Sequence, residues 1–301
     1  MDLNERYRGA LIGLATCDAL GAQIEGGIFG EKAPTEMVGG GFYDVQPGGW
    51  TDDTAMALCL AESLIEKKAC SPRDQLERYT LWKTRGYLSW AKWSLGIGAT
   101  VRESIDDYIT TNRTRRTKQN PARHAGNGSI MRLAPVPMAF RKDKNLLHAC
   151  AVSSQTTHDV PEAIDACILL GAITKTALDG GDKKAILHET PQSLPALSGG
   201  IEDLRIGRWQ LKGPAMLGTT GYVVTTLEAA MWVFEKTSTF ESGAKYILDL
   251  GGDADTIGAV YGQIAGAHYG ISGIPERWVR HIQMLGKITD FADALQALSE
   301  E

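Results

Sequence analysis

Residues 250 to 270 read "LGGDADTIGAVYGQIAGAHYG". Two glycines precede Asp253, Asp255 and Thr256, and behind these three runs a stretch of small and apolar residues at helical spacing. Gly258 and Ala259, Gly262 and Gly266 recur about one turn apart, so another backbone can approach this face closely. The segment reads as a central, buried helix. Apolar residues keep the same period in "DDTAMALCLAESLIEKK" (52–68), "VPEAIDACILLGAITKTAL" (160–178) and "TTLEAAMWVFEK" (225–236). Convincing period-two strands are absent. Turn formers separate the helical stretches at 26–49, which holds eight glycines, at 110–129 and at 179–200. None reads as a long flexible linker, and no fixed-period repeat is visible. The pattern predicts an all-α fold, one compact multi-helix domain over 1–301, with loops long enough to carry a site.

Bulk composition narrows the function classes. A chain of 301 residues with 43% hydrophobic positions buries a substantial core, and a formal charge of −5 with a pI of about 5.7 gives no broadly basic surface for nucleic acid. Cysteines 17, 59, 70, 150 and 167 are odd in number and lack C-x-x-C spacing, which suits free thiols in a reducing compartment. No apolar run approaches the roughly 18 residues of a membrane span. The expectation is a cytoplasmic protein without nucleic-acid or membrane partners.

Asp and Thr are ordinary helix N-caps, but a cap uses one such residue. "GGWTDDTAMALCL" at 48–60 repeats the pattern of 251–258: glycines, then Thr51, Asp52 and Asp53, then an amphipathic helix. Each start therefore carries a surplus carboxylate. If the two starts face one another, four carboxylates and two hydroxyls converge, and their repulsion calls for cations. Oxygen-only ligands favour Mg²⁺ or Mn²⁺ over zinc, and two such ions can activate a water between them. An EF-hand is excluded, because counting from Asp253 the twelfth position is Ile264, not Glu. "GIGATV" and "GNGSIM" lack the third glycine of a dinucleotide fingerprint, and P-loop and H-E-x-x-H motifs are absent. Double capping and metal binding both stay open on the residues alone, since the meeting of the two starts is a tertiary inference.

Six segments in order resemble the ADP-ribosylglycohydrolase family: "RGALIGLATCDALGAQIE" (8–25), "GGWTDDTAMAL" (48–58), "GNGSIMRLAPVPM" (126–138), "THDVPEAIDAC" (157–167), "GYVVTTLEAAMW" (221–232) and "LGGDADTIGAVYGQIAGAHYG" (250–270). The resemblance spans nearly the whole chain. It implies an all-helical fold with a binuclear Mg²⁺ or Mn²⁺ centre at helix N-termini and hydrolysis of the bond joining ADP-ribose to a modified side chain. Residue by residue it implies Thr51, Asp52 and Asp53 as ligands of one ion, Asp253 and Thr256 of the other, and Asp255 as the bridge. Glu25 would coordinate, position the attacking water or take its proton, with Asp53 the other candidate base; Glu25, Asp53 and Asp255 form the catalytic set. Gly126, Asn127, Gly128, Ser129 and Met131 would form the ADP-ribose loop, with His158 beside it. The implied partners are an ADP-ribosylated protein and ADP-ribose as product, with ADP-ribosyl-arginine the first choice of linkage.

Departures accompany the matches. Cys17 stands where the family commonly has glycine, and Asp159 and Val160 follow His158 where small or polar residues are usual. The basic run "NRTRRTKQNPARHAGNGS" carries Arg113, Arg115, Arg116, Lys118 and Arg123 up to the loop, and its plainer reading is a solvated face. Tyr79, Trp82, Tyr87, Trp90 and Trp93 read as core and pocket wall in a helix-like stretch. Two rival functions stay open: a binuclear-metal hydrolase of another ADP-ribose-linked or phosphorylated small molecule, and a non-catalytic binding or immunity protein that occludes an ADP-ribosyltransferase toxin.

Overall fold

The computed structural model describes residues 1–25, 33–115 and 120–301, so Arg116 and Lys118 of the basic run fall outside the described residues. Along these runs lie α1 (Leu3–Ala22), α2 (Asp52–Lys67), α3 (Pro72–Arg85), α4 (Ala99–Thr111), α5 (Pro121–His124), α6 (Pro135–Ala139), α7 (Leu146–Gln155) and α8 (Pro161–Leu178). There follow α9 (Thr190–Ser193), α10 (Gly199–Arg205), α11 (Val223–Lys236), α12 (Phe240–Leu250), α13 (Ala254–Tyr269), α14 (Glu276–Val279) and α15 (Leu285–Glu300). Among the described residues there is no strand, only the isolated bridges Gly40–Val45 and Gly126–Tyr222. The helical expectation holds. The turn-rich stretch 179–200 is more ordered than its composition suggests, because a π-helical turn at Ala185–Glu189 runs directly into α9.

The buried helix foreseen at 250–270 is α13, and the backbone it admits is that of α1. A methyl group added at Gly266 would lie 1.9 Å from the Gly9 carbonyl oxygen, and one added at Gly262 would lie 2.2 Å from that of Gly13. The reverse contacts are as tight, 2.2 Å from Gly9 to the Gly266 oxygen and 2.6 Å from Gly13 to that of Gly262. Two helices thus touch through bare backbone, and α2, α8, α11, α12 and α15 pack against one or both of them. Nearer the site, a Cβ at Gly21 would fall 2.3 Å from the Asp255 Cα, so the C-terminal end of α1 lies against the start of α13. Cys17, the departure from the family pattern, is buried opposite Gly258, where an added methyl group would fall 2.9 Å from the Cys17 carbonyl oxygen and 3.2 Å from its Cβ.

Around this axis, α12 begins with a reciprocal cap between Thr239 and Ser242. α15 covers the first turns of α1, where Arg8 grips Asp293 with two bonds of 2.8 and 2.7 Å. α2 enters behind Trp50, which is fully buried and donates to the Gln283 carbonyl at 2.9 Å. That anchor fixes the approach to Thr51. Of the aromatic run, Tyr79 and Trp82 are core residues of α3, but Gly86 ends this helix in the left-handed region, so Tyr87, Trp90 and Trp93 lie beyond it and Trp93 is exposed. None of the five lines the cleft described below. All five cysteines are free, and four of them are buried. No helix among the described residues is long and apolar enough to cross a membrane.

Candidate metal centre and cleft

The starts of α2 and α13 meet. One oxygen from each of Asp18, Asp53 and Asp255 lies within 4.8 Å of the others, and the same holds for Glu25, Asp253 and Asp255. Asp255 belongs to both groups. Neither Thr51 nor Asp253, the residues at the N-cap positions, makes a side-chain cap bond, so capping does not account for either cluster. Gly252 holds a positive φ of 68° with its Cα against Thr219, and the Asp253 N–H donates to the Thr219 carbonyl at 2.9 Å. The glycine pair is therefore the turn that delivers Asp253 to the site.

Asp18 is the residue that sequence reasoning missed. It lies inside α1, fully buried, and accepts hydrogen bonds from four donors: Thr51 N at 2.9 Å, Thr51 Oγ1 at 3.0 Å, Thr54 N at 3.0 Å and Thr54 Oγ1 at 2.6 Å. This carboxylate thus ties the first turn of α2 to α1. Thr51 Oγ1 also lies 3.1 Å from Asp53 Oδ2. A lone carboxylate within the apolar run "LIGLATCDALG" was the available signal.

Electrostatics follow from burial. Desolvation, offset by its four donors, lifts Asp18 to about 6, while desolvation and the neighbouring Asp18 lift Asp52 to about 8. Asp53 and Asp255 are raised well above the usual carboxylate range, by burial first and then by the neighbouring carboxylates. No lysine, arginine or histidine forms an ion pair with any of these aspartates among the described residues, and Asp53 Oδ1 and Glu25 Oε2 are buried without a partner. All the donors are oxygen. The site fits hard divalent cations.

A pH dependence follows for metal-free protein. These carboxyls hold protons in the folded state that the unfolded chain gives up nearer pH 4, so the folded state binds more protons and stability falls as pH rises. The fall extends through about 6 for Asp18 and about 8 for Asp52. Calorimetry in chelator is expected to show the melting temperature dropping from about pH 5 to about pH 8, and added Mn²⁺ is expected to restore it by more at the alkaline end.

Above the carboxylates opens a cleft of about 340 Å³. Its wall includes Glu25, Tyr43, Asp52, Gly126, Asn127, Gly128, Met131, His158, Asp253, Asp255 and Thr256, whereas Thr51, Asp53 and Asp18 lie beneath it. Gln263 of α13 donates to the carbonyls of Ile130 and Met131 at 3.0 and 2.9 Å and so fastens the 126–131 loop from behind. From the front, Asn127 N donates to the Gly221 carbonyl at 3.0 Å. The Asn127 amide hydrogens go to Asp253 Oδ2 at 2.7 Å and Thr226 Oγ1 at 2.9 Å, so this side chain orients a carboxylate. Ser129 is buried, neighbours the Cys167 thiol on α8 and does not line the cleft. Arg115 pairs with Asp159, which couples one departure from the family pattern to the basic run, and Arg123 reaches the cleft rim while pairing with Glu103. Tyr43, on the 40–45 turn, is a wall residue that the sequence did not mark.

The model of the ADP-ribosylglycohydrolase family matches residues 1–301. The ADP-ribosylarginine hydrolase Tri1 of Serratia proteamaculans is 34% identical over 99% of this chain and 80% of its own length. The ADP-ribosyl-[dinitrogen reductase] glycohydrolase of Rhodospirillum rubrum is 32% identical, covering 99% of this chain and 97% of its own. A solved structure described as an ADP-ribosylglycohydrolase-related protein complex superposes with a TM-score of 0.87 at 38% identity, over 99% of each chain. The chain belongs to the ADP-ribosylglycohydrolase family and is a glycohydrolase of that family.

Proposed function

We propose that this glycohydrolase removes ADP-ribose from modified arginine side chains of proteins and uses two divalent ions, Mg²⁺ or Mn²⁺, to do so. The observation that carries the reading is that Asp53 and Asp253, one from each helix start, both bring a carboxylate oxygen within 4.8 Å of one from Asp255, which lines the cleft. The arginine linkage is supported by the names of two relatives, the Tri1 ADP-ribosylarginine hydrolases of Serratia proteamaculans and Pseudomonas putida, each 34% identical. Thr51, Asp52 and Asp53 would hold one ion, Asp253 and Thr256 the other, and Asp255 both. Asp18, with its four donors, is better suited to fix Thr51 than to serve as a ligand. A cytoplasmic setting fits the five free cysteines.

When bound, the ions supply positive charge that orients ribose hydroxyls and makes a neighbouring water more acidic. The chain's residues do the rest. Gly126 and Gly128 let the ligand lie close to backbone, and Met131 and His158 close the wall around the sugar and phosphates. Of the two candidate bases, Glu25 stands in the cleft with a buried, unpartnered oxygen, whereas Asp53 lies below it. Burial and Asp253 raise Glu25 above its ordinary range, in spite of the Tyr43 hydroxyl, and so strengthen it as a proton acceptor. The C–N bond would break with its electron pair going to the guanidine, and the positive charge that develops on the ribose would be met by the acidic floor; as it breaks, water would bond to the anomeric carbon and pass its proton to Glu25.

The test is product analysis with metal-loaded protein on arginine-linked and serine-linked ADP-ribosyl proteins. Free ADP-ribose released faster from the arginine linkage is the expected result. Release from serine alone would overturn the linkage, and inorganic phosphate in place of ADP-ribose would overturn the reaction.

A further inference from the structure

Phe42 is 81% exposed on the turn that Gly40 and Val45 close. A solitary exposed apolar side chain is ordinary. This one stands on a turn pinned from several sides. Gly40 and Val45 exchange backbone bonds of 2.8 and 2.9 Å across it. The Gln23 amide, just past α1, accepts from the N–H groups of Val38 and Gly39 at 3.1 Å each and donates to the Glu36 carbonyl at 2.9 Å. Gly41 packs so closely on the end of α1 that an added methyl group would fall 2.7 Å from the carbonyl oxygens of Ala22 and Gln23. Val45 is buried in a small cluster with Ala22 and Leu95, in which Phe42 takes no part. The Phe42 ring instead meets Tyr43 edge-on, with the ring centres 5.0 Å apart.

Tyr43 in turn lines the cleft, and its hydroxyl is hydrogen-bonded to Glu25. Contacts therefore run in order from the 126–131 loop through Asn127 to Asp253, across the carboxylates to Glu25, and on to Tyr43 and Phe42. On the proposed hydrolase reading, on which this inference rests, ADP-ribose lies on the loop with its anomeric carbon over the carboxylates. The arginine bonded to that carbon then lies at the Tyr43 end, and the chain that carries it crosses Phe42. We infer that Phe42 is a specificity-determining contact for the protein substrate, a rigidly held apolar step at the mouth of the cleft that packs on an apolar side chain next to the modified arginine. An aromatic ring already fixed in place loses little freedom on binding and gains by shedding water, which is what an anchor at an interface requires. The contact is to the peptide and not to ADP-ribose, so it acts on KM and leaves kcat unchanged.

Steady-state kinetics of the metal-loaded full chain on three substrates test it: free ADP-ribosyl-arginine, and two synthetic pentapeptides whose central ADP-ribosyl-arginine is flanked by leucines or by glycines. The wild type is expected to show a KM about tenfold lower for the leucine peptide than for the glycine peptide at equal kcat. Phe42→Ala should bring the two KM values together and Phe42→Trp should keep them apart, with the rate on free ADP-ribosyl-arginine the same in all. Ile109→Ala is the control, since this residue of α4 is also exposed but lies about 12 Å along the helix from Val101 of the cleft wall. It should behave as the wild type. Equal KM values for the two peptides in the wild type, a preference that survives in Phe42→Ala, or one that Ile109→Ala also abolishes would overturn the inference. A wild type that cleaves none of the three substrates would refute the proposed reaction instead, and titration calorimetry with the same two peptides would then decide whether Phe42 makes the contact.

Discussion

Asp255→Asn is expected to lower metal-dependent turnover by about a thousandfold or more, equivalent to roughly 4 kcal/mol, and at the same time to raise the melting temperature of the metal-stripped protein. The two effects have one cause. Asp255 contributes to both carboxylate groups, and burial together with Asp53, Asp253 and Glu25 opposes its ionisation. An amide of the same shape keeps the bond from Thr256 N to the side-chain oxygen, at 2.8 Å here, but removes one charge from the cluster. Calorimetry in chelator and Mn²⁺ titration calorimetry read the two consequences separately. A variant that melts lower without metal, or that binds Mn²⁺ as the wild type does, would show that Asp255 is not the shared group.

Gly266→Ala is the second large effect, and it is one of stability. The added methyl would sit 1.9 Å from the Gly9 carbonyl oxygen, a backbone atom that cannot turn aside. The α1 and α13 axes must separate, and overpacking of this kind costs about 3 kcal/mol, a fall in melting temperature of roughly 5–10 °C. Because α1 also carries Asp18, separation of the helices should weaken Mn²⁺ binding as well. Gly286→Ala is the control, since a methyl group there, in α15, meets nothing within 4 Å and alanine favours the helix. Equal melting temperatures for Gly266→Ala and the wild type would contradict the backbone contact.

The helices were legible wherever their apolar residues kept one period, as in α2, α8, α11 and α13. The glycine stripe of α13 announced a close partner without naming it, although Gly9 and Gly13 in α1 carry the matching spacing. In the site, Thr51 to Asp53 and Asp253 to Thr256 stood out because two or three oxygen-bearing residues at a helix start exceed what a cap uses. Asp18 did not, since one acid within a helix gives no local sign of the four donors that another helix brings to it. Ser129 was visible as a residue but not as a direction, for the turn that aims it at Cys167 is set by Gln263 and Gly221, far away in sequence. The aromatic run was legible as core at Tyr79 and Trp82 but not as one helix, because Gly86 ends α3 midway through it.

The most direct test of the whole account is a time course of ADP-ribose release from an arginine-ADP-ribosylated protein by chelator-stripped protein, before and after Mn²⁺ is added. No release before and rapid release after is the predicted result, with Asp255→Asn silent in both phases. Equal release with and without the ion would contradict the account.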